Sequence, residues 1–314
     1  MKPENHQIPS IDPSAIRRVR KSRTLLAFLL LTLILLPLTS CALPRQNAAT
    51  VREPVQETPV GLPDNLVCEI TTESVSDATR SSNGTILAAY SYQIPVMGIY
   101  RRNGEPLTEE SAVTERELFA VKMADTFNQA FAQWQNEADF PALEELAWQD
   151  YDLSLQEGSD WVNHYEQGLD TDVYQTDRLV SVSGRFYYYA GGAHPNTVLL
   201  GWNYDLEKGA FFYAGQLFQE TEAVTEALLR MANARAAEWN MDPREFYWED
   251  YEQILGAWSD SSAVVTFDDD NMTVSFSPYD IAAYAAGEQI FDLPRTWIEP
   301  YLNQYGKRLL SVSD

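Results

Sequence analysis

Apolar and polar or aromatic residues alternate through Val67–Thr72 and again through Ile86–Ile94, on either side of the turn-forming Ser81-Ser82-Asn83-Gly84. A period of two interrupted by such an insert predicts a β-hairpin. Arg101-Arg102-Asn103-Gly104 and Pro106 then break the pattern, and the period changes. From Thr114 to Gln135 the large apolar residues Phe119, Met123, Phe127, Phe131 and Trp134 recur every three to four positions, the core-facing stripe of an amphipathic helix. Leu143, Leu146 and Trp148 carry a second helical or irregular piece towards Tyr151. Leu179–Tyr189 and Thr197–Tyr204 are β-branched and aromatic, and Asp205-Leu206-Glu207-Lys208-Gly209 turns the chain into Ala210–Phe212. Three such runs joined by short loops predict neighbouring antiparallel strands. Thr221–Asn240 reads as a helix with Val224, Leu228, Met231 and Ala232 on one side, and Phe246–Trp258 as another. Ala263–Phe267 and Met272–Phe276 form a last hairpin across the acidic turn Asp268-Asp269-Asp270-Asn271. Strand groups interleaved with helices, without regular βαβ alternation, predict an α+β fold: antiparallel sheets packed with helices, in two intimately associated subdomains.

The N-terminus carries a different pattern. Arg17, Arg18, Arg20, Lys21 and Arg23 precede an uncharged apolar run from Leu25 to Leu38, the layout of a secretory signal. This run is shorter than the roughly 20 residues a spanning helix needs. It ends in Leu38-Thr39-Ser40-Cys41, which resembles the lipobox of bacterial lipoproteins, where cleavage leaves the Cys N-terminal and lipidated. The expectation is a signal over 1–40 and a lipid anchor at Cys41. Residues 41–65 are rich in Pro and lack aromatic residues, as a disordered tether would be. The folded part would then stand on the outer face of the bacterial cytoplasmic membrane.

Charge sharpens that picture. The 314 residues hold 22 basic and 46 acidic side chains, a net charge of −24, which argues against a nucleic-acid partner. Removing residues 1–40 takes away six basic and two acidic residues, leaving 16 basic, 44 acidic and a net charge of −28. Such a surface raises encounter rates with basic proteins and peptides, although it also serves solubility. Only 2 Cys are present, so no disulfide framework is expected, and Cys68 would be the one thiol left beside the anchor.

Two stretches resemble a bacterial envelope family. Tyr187-Tyr188-Tyr189-Ala190-Gly191-Gly192-Ala193-His194-Pro195-Asn196-Thr197 contains a Gly-Gly-Ala-His signature that sits between two strands in that family. Ser275-Phe276-Ser277-Pro278-Tyr279-Asp280-Ile281-Ala282-Ala283-Tyr284-Ala285-Ala286-Gly287 resembles its closing strand-and-turn element. With Asp205–Gly209 and Gly215–Phe218 the likeness spans most of 66–302. The family is the RsiV-type extracytoplasmic module, domain of unknown function 3298 with its N-terminal companion 4163. The resemblance implies a 4163-like subdomain over 66–204, a 3298-like subdomain over 205–302 and a tail over 303–314. In RsiV-like anti-sigma factors the module binds lysozyme, and in PdaC-type enzymes it precedes a peptidoglycan deacetylase. This sequence shows neither an anti-sigma region before residue 66 nor a deacetylase after 302, so those two activities do not transfer.

The candidate chemistry is sparse. His194 is one of 3 His, and neither H-x-x-x-H nor C-x-x-C occurs, so a zinc site would need His164 and His194 to meet in space. No cofactor is expected. The economical reading of Gly191, Gly192, Ala193, His194 and Pro195 is a loop shaped by its glycines and closed by a histidine hydrogen bond. Tyr279, Tyr284 and Gly287 fit a packed closing element, or an aromatic surface for a sugar or a protein. Neither G-x-S-x-G, S-x-x-K nor a Walker loop is found, and the acidic turn lacks the Gly and Glu of a calcium loop. The resulting expectation is a non-catalytic, lipid-anchored binding or sensor module for a basic protein such as lysozyme. The alternatives are a peptidoglycan-binding or envelope-maintenance lipoprotein and, behind both, a metal-dependent hydrolase using His194.

Overall fold

The computed structural model describes residues 62–159 and 162–311. Residues 1–61, including the proposed signal, Cys41 and most of the tether, lie outside the described residues.

The first hairpin is much longer than its alternating segments. β1 (Leu66–Arg80) pairs antiparallel with β2 (Ile86–Arg101) from Leu66↔Arg101 up to a register shift at Thr79/Arg80, and Gly84 turns the chain at φ 89°. α1 (Glu115–Glu137) follows. Thr114 accepts from the Glu117 N–H while the Glu117 carboxylate accepts from the Thr114 N–H, a reciprocal cap that sets where the helix begins. α2 (Phe140–Glu157) starts at Asp139, with Pro141 in its first turn, and stops at Gly158 in the left-handed conformation.

β3 (Tyr165–Gln175), β4 (Leu179–Tyr189), β5 (Asn196–Asp205) and β6 (Ala210–Phe212) complete a six-stranded sheet in the order β1 to β6. All neighbours are antiparallel except β2 and β3, which run parallel because α1 and α2 cross between them. The large sheet is therefore mixed, where antiparallel pairing alone was expected. β3 itself lacks a strand pattern: in YEQGLDTDVYQ the apolar Tyr165, Leu169 and Val173 fall every fourth residue among acids. Pairing on both edges holds it as a strand regardless.

The second half supplies α3 (Glu222–Glu238), the short α4 (Pro243–Phe246) and α5 (Tyr251–Gly256), and an antiparallel three-stranded sheet of β7 (Val264–Phe267), β8 (Asn271–Phe276) and β9 (Gln289–Pro294). α6 (Arg295–Ile298) and α7 (Gln304–Leu309) end the described chain. The expected boundary at 204/205 falls inside β5, and β6 beyond it still belongs to the large sheet. Residues 303–314, expected as a tail, instead include α7, with Leu309 and Leu310 buried. The described residues all fall within one compact unit.

Each face of the large sheet meets its own apolar layer. On one face Met123, Phe127 and Phe131 of α1 pack on Tyr92, Leu169, Val180, Val182 and Tyr204. Across the other lie Leu179, Trp258, Val265, Phe267 and Phe291, with α3 and the short helices. The small sheet is joined to the large one by side chains. Ser181 Oγ donates to Asn203 Oδ1 at 2.8 Å and accepts the Phe267 N–H at 2.8 Å, while Asn203 Nδ2 donates to the Val265 carbonyl at 2.7 Å. Both polar residues are buried, so together they satisfy the edge of β7 that would otherwise be left without partners.

Candidate functional site

The loop between β4 and β5 needs its glycines. Gly191 and Gly192 have φ of 78° and 103°, and a Cβ on Gly191 would lie 3.1 Å from the Tyr165 hydroxyl. The Tyr189 hydroxyl donates to the Gly192 carbonyl at 2.9 Å, which ties the turn to the end of its own strand. Ala193 is exposed at the tip. His194 Nδ1 donates to the Pro195 carbonyl at 2.9 Å; since a carbonyl only accepts, this assigns the proton to Nδ1 and leaves Nε2 to accept from the Tyr279 hydroxyl at 3.3 Å.

The second motif element follows β8 and is pinned along its length. Ser277 is buried; its hydroxyl accepts the Leu199 N–H at 3.0 Å from β5, and its own N–H donates to Asp280 Oδ2 at 2.8 Å. Ile281 and Ala282 enter the core. Tyr279 is held at φ 72°, a conformation that costs a non-glycine residue about 1 kcal/mol. Its carbonyl accepts Trp248 Nε1 at 3.1 Å, and the Trp248 N–H donates to the Ile281 carbonyl at 2.8 Å. Gly287, at φ 68° and ψ −160°, ends the 3₁₀ turn Tyr284–Ala286 in a region closed to other residues, and Gln289 Nε2 donates to the Ala286 carbonyl.

These two loops, some 85 residues apart in sequence, meet through rings. His194 stacks on Tyr284 with centroids 3.9 Å apart and planes inclined by 19°, while Tyr279 lies 6.3 Å from His194 and 5.5 Å from Tyr284. Tyr279 keeps 50% of its surface exposed and Trp248 keeps 42%, so the element packs through Ile281 and Ala282 while its outer side presents an aromatic ledge. Its backbone is fixed by the core, which leaves the ring faces free to meet a partner at small entropic cost. Tyr187 and Glu166 border the ledge. Burial first, then a hydrogen bond to Glu166 and the nearby Tyr189 and Tyr284, push the Tyr187 hydroxyl up to about 12. Glu288, next to Gly287, pairs with Arg185.

The two histidines are not brought together. His164 Nε2 is 3.2 Å from the Glu166 carboxylate, whereas His194 is engaged by Pro195 and Tyr279. Among the described residues no group of three His, Cys, Asp or Glu converges to hold a metal ion. The acidic turn closes on itself, Asp268 Oδ1 accepting the N–H groups of Asp270 and Asn271 at 2.8 and 2.7 Å. Burial pushes the Cys68 thiol up to about 12, despite a hydrogen bond with Gln175, which keeps it a poor nucleophile. Trp248 was not singled out by sequence: it lies in the polar Trp-Glu-Asp after α4, and only the fold sets it beside Tyr279.

A family model described as "Protein of unknown function (DUF3298)" matches residues 216–296, which takes in the Tyr279–Gly287 element and not the Gly191–Pro195 loop. No curated protein sequence matches the chain. A solved member of the DUF3298 family from Bacteroides fragilis superimposes with a TM-score of 0.54 at 16% identity, covering 78% of this chain and 97% of its own. A second family member of known structure, from Pseudomonas aeruginosa, gives 0.43 at 13% identity over 76% of this chain and 95% of its own. Residues 216–296 thus carry a DUF3298 domain, and the described chain has the fold of the Bacteroides fragilis member.

Proposed function

We propose that this chain is a lipid-anchored, extracytoplasmic binding module that captures a basic protein, with lysozyme as the partner that the resemblance to RsiV-type modules names. Cys41 would hold the anchor, and the outer face of the bacterial membrane would be its place. The observation that carries the reading is the ledge of His194, Tyr279, Tyr284 and Trp248: half-exposed rings on a backbone pinned by hydrogen bonds to β5 and to the core. Aromatic residues on rigid supports are the usual anchors of protein interfaces. The net charge of −28 after loss of residues 1–40 favours a cationic partner for that surface. His194 is assigned a positioning role, since both of its ring nitrogens and one ring face serve the loop, and the module is proposed to act without catalysis.

Calorimetric titration of the chain from residue 41 onward with lysozyme, at low and at physiological ionic strength, tests this. Saturable binding that survives physiological salt and weakens in Tyr279→Ala and Trp248→Ala is expected. Binding confined to low salt would reduce the attraction to unspecific charge. The same rings also suit stacking on a sugar, so a peptidoglycan fragment is the second ligand to try; its binding would be nearly indifferent to salt.

A further inference from the structure

A cleft of about 570 Å³ opens where the large and small sheets diverge, a volume within the range of ligand sites. Its floor is the outer face of β3 and β4, and its wall is formed by β7, β8 and β9. The lining mixes apolar side chains such as Leu200 and Ile290 with polar ones. Ser183, Thr266 and Ser275 contribute hydroxyls, while Asp170, Asp172 and Asp268 bring negative charge against one cation, Arg185.

That cation is already committed. Asp170 faces Arg185 across the β3–β4 ladder, yet the guanidinium reaches past it to Glu288. Asp268 is occupied by the backbone of its own turn. Asp170 and Asp172 are exposed and have neither an ion pair nor a side-chain hydrogen bond among the described residues. Two like charges on one face of one strand repel each other, and the one cation opposite them, Arg185 across from Asp170, is shared with Glu288. Being two residues apart on a strand, they are spaced by about 7 Å, which is also the spacing of alternate side chains in an extended peptide. The cleft and the ledge are contiguous: Leu199 lines the cleft and donates its N–H to Ser277, and Glu288 follows Gly287 at the end of the ledge.

We infer that the cleft binds an extended peptide segment with Lys or Arg at alternate positions, Asp170 and Asp172 each receiving one cationic side chain and the hydroxyl walls its backbone. This rests on the reading of the protein as a binder of basic proteins and adds where a basic strand or loop of the partner would enter.

The probe is a short peptide of alternating lysine and serine, followed by calorimetry at physiological salt on the chain from residue 41 onward, with an alternating glutamate–serine peptide as control. The Asp170→Asn/Asp172→Asn double variant should weaken lysine-peptide binding by about tenfold or more. Removing the same charge from the exposed β1 edge, in Glu69→Gln/Glu73→Gln, should change it by less than about twofold. Equal losses from both pairs, or none from the first, overturn the assignment. Amide shift mapping on the unmutated protein is independent of how the variants fold: changes should centre on Ser183, Gly184 and Thr266, and changes scattered over acidic surface refute the cleft. Lysozyme titrated in parallel separates the two proposals. Lysozyme binding that the double variant leaves intact sinks the cleft alone, and peptide binding in the cleft without lysozyme binding sinks the basic-protein reading of the ledge.

Discussion

The aromatic ledge and the junction at the C-terminus are built from the same kinds of residue, tyrosines beside charged or imidazole groups, and both join distant parts of the chain. At the C-terminal junction Asp205 is fully buried; Oδ1 accepts the N–H groups of Glu207 and Lys208 at 2.8 and 3.0 Å, and Oδ2 accepts the Tyr305 hydroxyl of α7 at 2.7 Å. Glu207 lies 3.2 Å from Arg178 Nε and 3.1 Å from Arg308 Nε, and Lys208 Nζ sits 3.3 Å from the Tyr305 ring centroid. Burial and the hydrogen bond to Asp205 both raise the Tyr305 hydroxyl above its ordinary value. There, the Tyr305 ring face and hydroxyl and both oxygens of the Asp205 carboxylate find partners within the chain. At the ledge only the backbone and His194 are fully engaged, while Tyr279 and Trp248 keep open faces. The lesson is that residue type does not separate a structural cluster from a binding surface. The separation comes from whether the chain itself completes the contacts.

If that contrast holds, the largest effect belongs to the sealed junction. A Cβ on Gly306 would fall 2.3 Å from the Leu217 carbonyl oxygen, so Gly306→Ala should push α7 off its seat and cost about 3 kcal/mol or more, read by urea unfolding. Asp205→Ala strands two N–H groups and a hydroxyl and should cost about 2–3 kcal/mol by the same measurement. A loss below about 0.5 kcal/mol from either variant would show the junction to be as open as the ledge.

A pH series sharpens the contrast at intermediate size. Burial pushes the hydroxyls of Tyr187 and Tyr247 up to about 12, against about 10 in an unfolded chain. The unfolded chain therefore releases these protons first as the pH rises. Their contribution to stability is complete below pH 10 and should drain away between pH 10 and 12, which thermal melts in that window would record. Stability that stays flat across it would contradict the burial of both groups.

The smallest stability effect is expected at the ledge. Tyr279→Gly relieves a left-handed residue of its side chain and loses a half-exposed ring, so the two effects nearly offset; stability should shift by no more than about 1 kcal/mol. The lysozyme binding proposed for the ledge should nevertheless fall. A substitution that leaves folding intact and removes binding is the signature of an open cluster, whereas large destabilisation would make Tyr279 a packing residue after all.

Much of the fold can be read along the chain because it is local. The stripe from Phe119 to Trp134 specifies α1, and Ala263–Phe267 with Met272–Phe276 specify the β7–β8 hairpin down to the Phe267↔Met272 register. β3 is illegible for the opposite reason: its strand state depends on β2, which pairs with it only over Ala88–Tyr92, and on β4. β9 is likewise a six-residue strand that exists because β8 lies beside it. The loops of the candidate site are visible as motifs, and their glycines announce unusual backbone angles. What the motifs conceal is that His194 rests on Tyr284, that Trp248 holds Tyr279, and that Tyr279 faces outward.

By itself the sequence determines the α+β mixture, the core-facing stripe of α1 and the tight turns, the acidic charge and the two motif loops. These follow from periodicity, from φ restrictions at single residues and from counting charges. Only the tertiary structure decides that one strand pair of the large sheet is parallel, that Ser181 and Asn203 join the two sheets, and that two loops some 85 residues apart make one aromatic surface beside an acidic cleft. The physical reason is that pairing, burial and desolvation are properties of neighbours brought together by the whole fold, and no local pattern encodes which of its faces the rest of the chain will leave uncovered.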